Sequence, residues 1–278
     1  MLKKQLRIAL SLLVYAGDAL LRIFQKTGLI SPPGTCVVLY YHEVITADRG
    51  RFASQLDVLC RLAKPVSALN PQTLTAGQRH VAVTVDDAFV SFCQNGLPEL
   101  VKRRMPVVVF VPTAYLGRKV EWGMEEVMAS PDEQIITAAE LKDLAKNPLV
   151  QIGSHTANHR NLTLLNDTEA MKELSESKEF LERTLGCPVN SISFPYGAFS
   201  PRHLKMAADL GYTSWFTTSP ACLTGKIEAG LIGRVRVDPY DSPLEFKLKS
   251  AGAYRWQVAV GKMKRRLRPT NAKSVNVF

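Results

Sequence analysis

The 278-residue sequence predicts an α/β fold built on a mainly parallel sheet or an α/β barrel. Short runs of β-branched residues alternate along the chain with segments of helical periodicity, which is typical of such folds. These runs are apolar at nearly every position, as in strands that helices cover on both faces. The run Val81–Val85 ends in the adjacent acids Asp86 and Asp87. The carboxyl ends of parallel strands are where sheets and barrels of this class carry their chemistry. For this stretch alone, a solvated Asp-Asp turn is the equal alternative.

Composition limits the class of protein further. A hydrophobic content of 46% and a charged content of 22% are ordinary for a folded soluble domain. The excess of 35 Lys and Arg over 25 Asp and Glu, a net charge of +10, indicates a polyanionic partner, either nucleic acid or an anionic membrane surface. The five cysteines are scattered and form no CxxC pair, so we expect buried thiols in a reducing compartment.

The first element is a helix with a narrow polar stripe and a broad apolar face. The polar residues recur every seven positions, at Lys4, Ser11, Asp18 and Gln25. A membrane span needs roughly 20 uninterrupted apolar residues, and the charged residues Arg7 and Asp18 leave no stretch of that length between them. We therefore predict an amphipathic helix that lies in a membrane interface. A cleaved signal or anchor and a plain core-docking helix are the alternatives.

The remaining elements follow from periodicity and from helix caps. Thr137 and Glu140 form a capping box for the fourth helix, and Gly186 ends the fifth, which Asp167 or Thr168 begins. The predicted strands cover residues 36–41, 81–85, 107–111, 149–153, 191–194, 214–217 and 231–237. Beyond the N-terminal helix, the predicted helices cover residues 52–62, 97–103, 141–146, 167–185 and 201–210.

The chain divides into three predicted parts. Residues 1–30 form the membrane-associating helix, residues 35–245 form one catalytic domain, and residues 246–278 form a basic tail. Residues 115–134 lack periodicity and are predicted to be an excursion or lid over one face.

Two histidines give the acidic pair a chemical context. The fourth strand runs into His155 and His159, which are four residues apart and can share one face of a helical turn. Two imidazoles and one carboxylate from Asp86 or Asp87 make a metal-ligand set that leaves open positions for water and substrate. Such a set supports metal-assisted hydrolysis.

These residues resemble the motifs of the polysaccharide deacetylases, the NodB-homology carbohydrate esterases. Residues 84–88, Thr-Val-Asp-Asp-Ala, resemble that family's T-F-D-D-G motif. Residues 155–159, His-Thr-Ala-Asn-His, resemble H-[ST]-x-x-H, and residues 193–197, Ser-Phe-Pro-Tyr-Gly, resemble R-x-P-Y-G. The resemblance covers roughly residues 35–240 and implies a distorted (β/α) barrel of the NodB-homology type.

The resemblance also implies a role for each site residue. Asp86 is expected to be the general base, and Asp87, His155 and His159 are expected to bind one divalent metal ion. Zinc is the first choice for this set, while nickel, cobalt and iron also suit it. The backbone N–H of Tyr196 is expected to help hold the oxyanion.

The sequence departs from the family pattern in three places. Ala88 stands where the family has Gly, which tightens the approach to the metal loop. Ser193 stands where the family has the Arg that steers the catalytic Asp, so we expect another cation there and name Arg234 or Arg236. The family's C-terminal Leu-x-His motif is missing from the sequence.

His42 is the expected substitute for the histidine of that missing motif. It follows the first strand in a Tyr-His pair, as in a subgroup of the family that includes bacterial exopolysaccharide deacetylases. The resemblance therefore implies that His42 is the general acid. His80 and His203 have no motif context and are expected to be solvated. Among the aromatic residues, Trp122 is the best candidate for packing against a sugar ring, with further candidates at Phe89, Phe194, Tyr196 and Trp215.

The basic tail concentrates Lys and Arg between residues 247 and 268. No nucleic-acid module accompanies it, so no nucleic-acid partner is expected. Beside an apolar helix it favours attraction to anionic lipid, worth about 1 kcal/mol per basic residue. A solvated tail without a binding partner is the alternative.

Together these observations predict a metal-dependent N-deacetylase acting on an N-acetylated sugar, in a glycan or linked to a lipid. We expect it on the inner membrane of a bacterial-type cell, with the cytoplasmic side favoured over the periplasmic side. A catalytically inactive glycan-binding scaffold and a nucleic-acid-associated protein are the rival functions.

Overall fold

The β-branched runs of the sequence form a nearly closed barrel of parallel strands. The computed structural model describes residues 2–25, 32–120, 122 and 132–267. In this part of the chain the strands are β1 (Thr35–Tyr41), β2 (Lys64–Pro65), β3 (Gln72–Thr73), β4 (Arg79–Val85), β5 (Val107–Val111), β6 (Val150–Ser154), β7 (Ser191–Ser193), β8 (Ser214–Thr217), β9 (Leu223–Thr224), β10 (Lys226–Ile227), β11 (Gly230–Gly233) and β12 (Val235–Arg236).

Helices surround this barrel. The described helices are α1 (Leu2–Gln25), α2 (Arg49–Leu62), α3 (Leu97–Lys102), α4 (Ala138–Ala145), α5 (Asp167–Leu185), α6 (Pro201–Asp209), α7 (Pro243–Ser250) and α8 (Trp256–Leu267). Side-chain caps fix where two of these helices begin. Thr137 and Glu140 form the predicted capping box of α4, whereas Asn166, one residue before the predicted start, caps α5.

The barrel strands follow the order β11-β8-β7-β6-β5-β4-β1-β12. Each neighbouring pair in this order is parallel. The strand predicted at residues 231–237 is split at Arg234: β11 pairs with β8 at one edge of the sheet, and β12 pairs with β1 at the other. The chain therefore closes the barrel at Arg234, which lies on the seam between the two edges.

Alternation along the strands produces two apolar layers. Val37 and Leu39 of β1 belong to the larger cluster, which includes side chains of the surrounding helices. Val38 belongs to a second cluster together with Phe110 and Phe216 of other barrel strands. Because successive side chains of a strand point to opposite faces, the second cluster fills the barrel interior. The predicted fold class, a distorted α/β barrel with an N-terminal helix, is confirmed.

The N-terminal helix packs against the end of the domain. Side chains of Ile8, Val14 and Tyr15 on α1 contact a small apolar cluster that includes Leu248 and Tyr254. Among the residues that the structure describes, no helix has the length and hydropathy needed to cross a membrane. Half of the predicted lid, residues 121 and 123–131, falls outside the described residues, as do residues 26–31 and the tail from residue 268 onward.

Candidate active site

Asp86 and Arg234 form an ion pair inside the barrel. Arg234 Nη1 lies 2.7 Å from Asp86 Oδ1, and Nη2 lies 2.7 Å from Oδ2, so the guanidinium binds the carboxylate through two parallel hydrogen bonds. Both residues are buried, and Arg234 has no exposed surface. Ser193 Oγ accepts a third hydrogen bond from Nη2 at 2.7 Å. Of the two arginines that the sequence offered, Arg234 is the one that contacts Asp86, whereas Arg236 pairs with Asp238.

Aromatic rings and hydroxyl groups complete the surroundings of Arg234. Its guanidinium lies 4.5 Å from the ring centroid of Tyr40 and 5.4 Å from that of Phe110, within the range of cation–π attraction. Nη1 also donates to Thr84 Oγ1 at 3.0 Å, and Nε donates to the carbonyl of Thr217 at 3.3 Å. A charge that is buried so deeply is stable only with partners of this kind.

Asp87, His155 and His159 form a separate cluster beside this ion pair. One potential ligand atom from each residue lies within 4.8 Å of the others, and all three side chains are buried. Asp87 Oδ1 is 3.6 Å from His155 Nε2 and 3.5 Å from His159 Nε2. This oxygen is buried and has no hydrogen-bond partner in the part of the chain described. A divalent cation would satisfy it, so the donor set fits a metal ion.

Several residues in the loops of this site have φ in the left-handed region. Asp87 has φ 71°, Ala88 φ 55°, Thr156 φ 64°, His159 φ 52° and Tyr196 φ 60°. Backbone strain of this kind costs on the order of 1 kcal/mol per residue and is concentrated at functional sites. Ala88 therefore stands at a position where Gly would be less strained, which is why its departure from the motif has a conformational cost.

Hydrogen bonds fix the orientation of the His155 ring. His155 Nδ1 lies 2.7 Å from the carbonyl oxygen of Ser193, which only accepts, so Nδ1 carries the proton and Nε2 is left free as a ligand. The second imidazole is oriented differently, because the ring of Trp122 stacks on His159 with centroids 4.1 Å apart. The intervening turn is held by buried Glu173, whose carboxylate accepts from the backbone N–H of Asn158 at 2.7 Å.

The two adjacent carboxyl groups have opposite pKa shifts. Burial tends to raise the pKa of Asp86, but the Arg234 guanidinium and the His155 imidazole hold it below its usual range. Burial raises the pKa of Asp87 well above its usual range, and the charge of Asp86 raises it further. Burial also lowers the pKa of both His155 and His159. Asp86 is thus a stable anion, Asp87 has no Lys or Arg within ion-pair distance among the described residues, and the neutral imidazoles are in the form that binds metal.

His42 and Tyr196 stand at the same end of the barrel. The backbone N–H of Asp86 donates to the carbonyl of Tyr41 at 3.0 Å, which places the following residue, His42, beside the ion pair. Burial lowers the pKa of His42 to about 4. The ring of Tyr196 lies 4.9 Å from that of His159 and is half-exposed.

An open cleft of about 530 Å³ adjoins the cluster. It is lined by Trp122, Tyr196, Arg160, Leu164 and His159, among others. Trp122 and Tyr196 thus lie where a sugar ring could pack, whereas Phe89 and Phe194 are buried in the core. The expectation that His80 and His203 are solvated was wrong. Both are buried: His80 lies beside the carbonyl of Thr35, and His203 accepts from the backbone N–H of Ser200.

Comparison with known proteins identifies the family. The sequence model of the polysaccharide deacetylase family matches residues 73–215, just over half of the 278-residue chain. The chain belongs to the polysaccharide deacetylase family. The predicted resemblance is thereby confirmed.

Relatives are about a quarter identical to this chain within the aligned region. The YxkH protein of Bacillus subtilis is 26% identical over 176 residues, which are 63% of this chain and 58% of that protein. A poly-beta-1,6-N-acetyl-D-glucosamine N-deacetylase of Staphylococcus aureus is 24% identical over 180 residues, 62% of this chain and 58% of that protein. The matched region thus spans about 58% of the length of these curated relatives.

Two solved structures share the fold. The deacetylase PplD of Streptococcus pyogenes, in complex with acetate, superposes with a TM-score of 0.62 at 22% identity, over 78% of this chain and 99% of that one. IcaB from Ammonifex degensii superposes with a TM-score of 0.63 at 22% identity, over 81% of this chain and 98% of that one.

Proposed function

We propose that this chain is a metal-dependent deacetylase that hydrolyses the N-acetyl group of an N-acetylated saccharide. The observation that carries the proposal is that the adjacent acids Asp86 and Asp87 have different partners. Asp86 is held as an anion by Arg234, while Asp87 faces the two neutral imidazoles of His155 and His159. Family membership supports the same reaction class.

The proposed metal ligands are Asp87, His155 and His159. A divalent ion bound there would polarise the acetyl carbonyl and increase the acidity of a water molecule. Zinc is our first choice, and nickel, cobalt and iron also suit one carboxylate and two imidazoles. The hydrogen bond from His155 Nδ1 to Ser193 directs Nε2 towards the cluster.

Asp86 has the properties of the general base. Its Oδ2 lies 4.0 Å from His155 Nε2, so it is next to the ligand set without belonging to it. Arg234 fixes its orientation and keeps it ionised, ready to accept a proton from the attacking water. Arg234 acts through Asp86 and is therefore a positioning residue.

His42 and Tyr196 supply the remaining proposed functions. His42 donates a proton to the leaving amine. Because burial lowers its pKa to about 4, the resting imidazole is neutral, and it would pass to the amine the proton that Asp86 has taken from the water. The backbone N–H of Tyr196 helps hold the oxyanion, and its half-exposed ring adjoins His159 at the cleft.

Acetate release tests this proposal. A panel of β-1,6-linked N-acetylglucosamine oligomers, polymeric N-acetylhexosamines and O-acetylated analogues is incubated with the protein, with and without a chelator. We expect acetate from the N-acetylated substrates only, loss of release on chelation, and recovery with added zinc or cobalt. A metal-loaded protein that binds these glycans but releases no acetate would instead be the inactive scaffold.

A further inference from the structure

The middle of the polar stripe of α1, at Ser11 and Asp18, faces the protein rather than solvent. Ser11 has no exposed surface, and its Oγ accepts a hydrogen bond from Trp256 Nε1 at 2.9 Å. One heptad further on, both oxygens of Asp18 accept hydrogen bonds from Arg255, at 2.6 and 2.8 Å. These partners lie more than 230 positions away in the sequence, so tertiary contacts fix the rotation of α1 about its axis.

A third polar contact anchors the start of the helix. Lys4 Nζ lies 2.8 Å from Glu245 Oε2 in α7. Between these polar contacts, Tyr15 packs beside the domain, and Lys247 Nζ lies 5.4 Å from the centroid of its ring. The stripe of Lys4, Ser11 and Asp18 is thus engaged along most of its length.

The broad apolar face of α1 consequently points away from the barrel. Leu6, Leu13 and Leu20 recur every seven residues, and their exposed fractions are 60%, 71% and 58%. Further exposed apolar side chains flank this ridge, at Leu12, Leu21 and Ile23. A contiguous apolar patch of this kind on a folded protein marks an interaction surface.

Charge identifies the occupant of this surface. Exposed Arg7 lies on α1 and exposed Lys247 lies beside it, and the whole chain has a net charge of +10. Two copies of this surface would bring like charges together, whereas an anionic bilayer offers an apolar interior and an opposite charge at once.

The contacts of α1 also set the orientation of the barrel. At one end, Lys4 pairs with Glu245 at 2.8 Å in the first turn of α7, the helix that follows the carboxyl end of β12. Near the other end, Leu21 shares a cleft with Thr35 and Arg79, the first residues of β1 and β4. The helix therefore runs along the barrel wall, from the end that carries the active site to the opposite end.

We propose that α1 binds an anionic bilayer through Leu6, Leu13 and Leu20, with the barrel lying on its side and the mouth of the active site opening along the membrane surface. If the deacetylase function above is correct, the substrate is a saccharide attached to a lipid of the same bilayer, because such a saccharide lies in the plane that the mouth faces.

Vesicle sedimentation tests the surface. The full chain is mixed with vesicles of phosphatidylcholine alone or of phosphatidylcholine with phosphatidylglycerol. We expect binding to the anionic vesicles and a partition coefficient lower by about 100-fold in the double variant Leu13→Glu/Leu20→Glu, because two leucines lose apolar burial. Leu231→Glu, on a leucine of similar exposure outside α1, is the matched control and should bind normally. Circular dichroism verifies folding of each variant.

Three results would overturn the surface proposal. One is equal vesicle binding by the wild type and the double variant. The second is wild-type self-association in solution that the double variant abolishes while vesicle binding is absent, since the face would then bind a second copy. The third is that the wild type and the double variant both bind an oligonucleotide while neither binds vesicles.

A charge exchange tests the orientation. Asp18→Arg sets two like charges against each other and should detach the end of α1, whereas Asp18→Arg/Arg255→Asp should restore the pair. We expect both proteins to bind anionic vesicles. Acetate release from a lipid-linked saccharide in those vesicles should fall about tenfold in Asp18→Arg and recover in the double exchange. Equal rates in all three proteins would refute the fixed orientation.

A comparison of two substrates distinguishes a failure of this proposal from a failure of the proposed function. Acetate release is compared on a lipid-linked saccharide in vesicles and on a soluble oligosaccharide. Leu13→Glu/Leu20→Glu should lose activity on the first substrate only. Activity confined to the soluble substrate would refute the lipid-linked substrate. Acetate release from neither substrate by metal-loaded protein would refute the proposed deacetylase, and the vesicle result would still decide the surface.

Discussion

The guanidinium of Arg234 and the carboxylate of Asp86 are joined by two hydrogen bonds of 2.7 Å in the interior of the barrel. The pair links the seam where the barrel closes to the strand that carries the acidic motif. It therefore contributes to both the architecture and the ionisation of the proposed base.

Removing this arginine should destabilise the protein and shift its pH profile. Arg234→Met leaves a buried, unpaired carboxylate, so we expect a loss of about 3–5 kcal/mol in the free energy of unfolding. Without the guanidinium the pKa of Asp86 rises, and the acid limb of kcat/KM moves to higher pH. Urea unfolding and a pH–rate profile measure the two effects.

The neighbouring arginine provides the control. Arg236 is partly exposed and pairs with Asp238 at 3.1 Å, so Arg236→Met should cost about 1 kcal/mol or less and leave the acid limb in place. Equal effects of the two substitutions would contradict the role of Arg234.

The two adjacent aspartates should separate in their effects. Asp86→Asn should retain the metal content of the wild type and reduce turnover by about 10²–10⁴-fold, because the base is lost but the ligand set remains. Asp87→Asn should lose the metal itself. Metal content and acetate release are measured on the same preparations. Loss of metal from Asp86→Asn would contradict the assignment of Asp86 as the base and Asp87 as the metal ligand.

Asp87→Asn should stabilise the metal-free protein. Asp87 is buried beside another carboxylate, and its pKa is raised, so its charged form opposes folding at neutral pH. In the presence of a chelator, we expect Asp87→Asn to be more stable than the wild type by about 1–2 kcal/mol. With zinc added, the order should reverse. Urea unfolding under both conditions provides the measurement, and a destabilised metal-free variant would refute the argument.

Ser193 should contribute through its hydroxyl group and its carbonyl separately. Ser193→Ala removes an acceptor for Arg234 Nη2, so we expect a loss of about 1 kcal/mol and a severalfold slower turnover. The carbonyl that accepts from His155 remains, so metal content should be unchanged. Ser191→Ala is the control: that serine is also buried on β7, but its Oγ has no hydrogen-bond partner within the described residues. A metal-depleted Ser193→Ala protein would contradict this division.

His203 should make stability depend on pH through a group outside the metal-ligand cluster. Its Nδ1 accepts from the backbone N–H of Ser200 at 3.0 Å, and burial lowers its pKa to about 4. Between pH 6.5 and 4 the unfolded chain binds a proton that the folded protein excludes, so stability falls as pH falls. The contribution is about 1–3 kcal/mol.

A glutamine at this position can accept the same hydrogen bond without titrating. The difference in unfolding free energy between the wild type and His203→Gln should therefore grow in favour of the variant as pH is lowered through this range. A difference that does not change with pH would refute this explanation.

The sequence predicted the barrel and the metal-ligand cluster because both depend on local patterns. Strands appear as β-branched runs, and motif residues follow the strand ends. The choice between Arg234 and Arg236 could not be made this way. The two are two positions apart in one predicted strand, and only the depth of each side chain in the closed barrel distinguishes them.

Other features depend on contacts that no local pattern records. The polar stripe of α1 was visible in the sequence, but its inward rotation depends on Trp256 and Arg255. His203 was wrongly expected in solvent because its burial depends on packing of α6 against the domain. Thr84 was placed in the acidic motif without a role, although it lies two residues before Asp86 and so points to the same side of the extended chain.

The seam at Arg234 also determines when the site is acquired during folding. Asp86 and Arg234 are 148 positions apart, and they meet only after β11 has paired with β8 and β12 with β1. A nascent chain that ends before residue 230 holds both carboxylates of the acidic motif without their guanidinium. Contacts so distant in sequence form late in folding. Ionised Asp86 in its native setting is therefore a property of the completed barrel, and in an incomplete chain the proposed base is a carboxylate without its guanidinium.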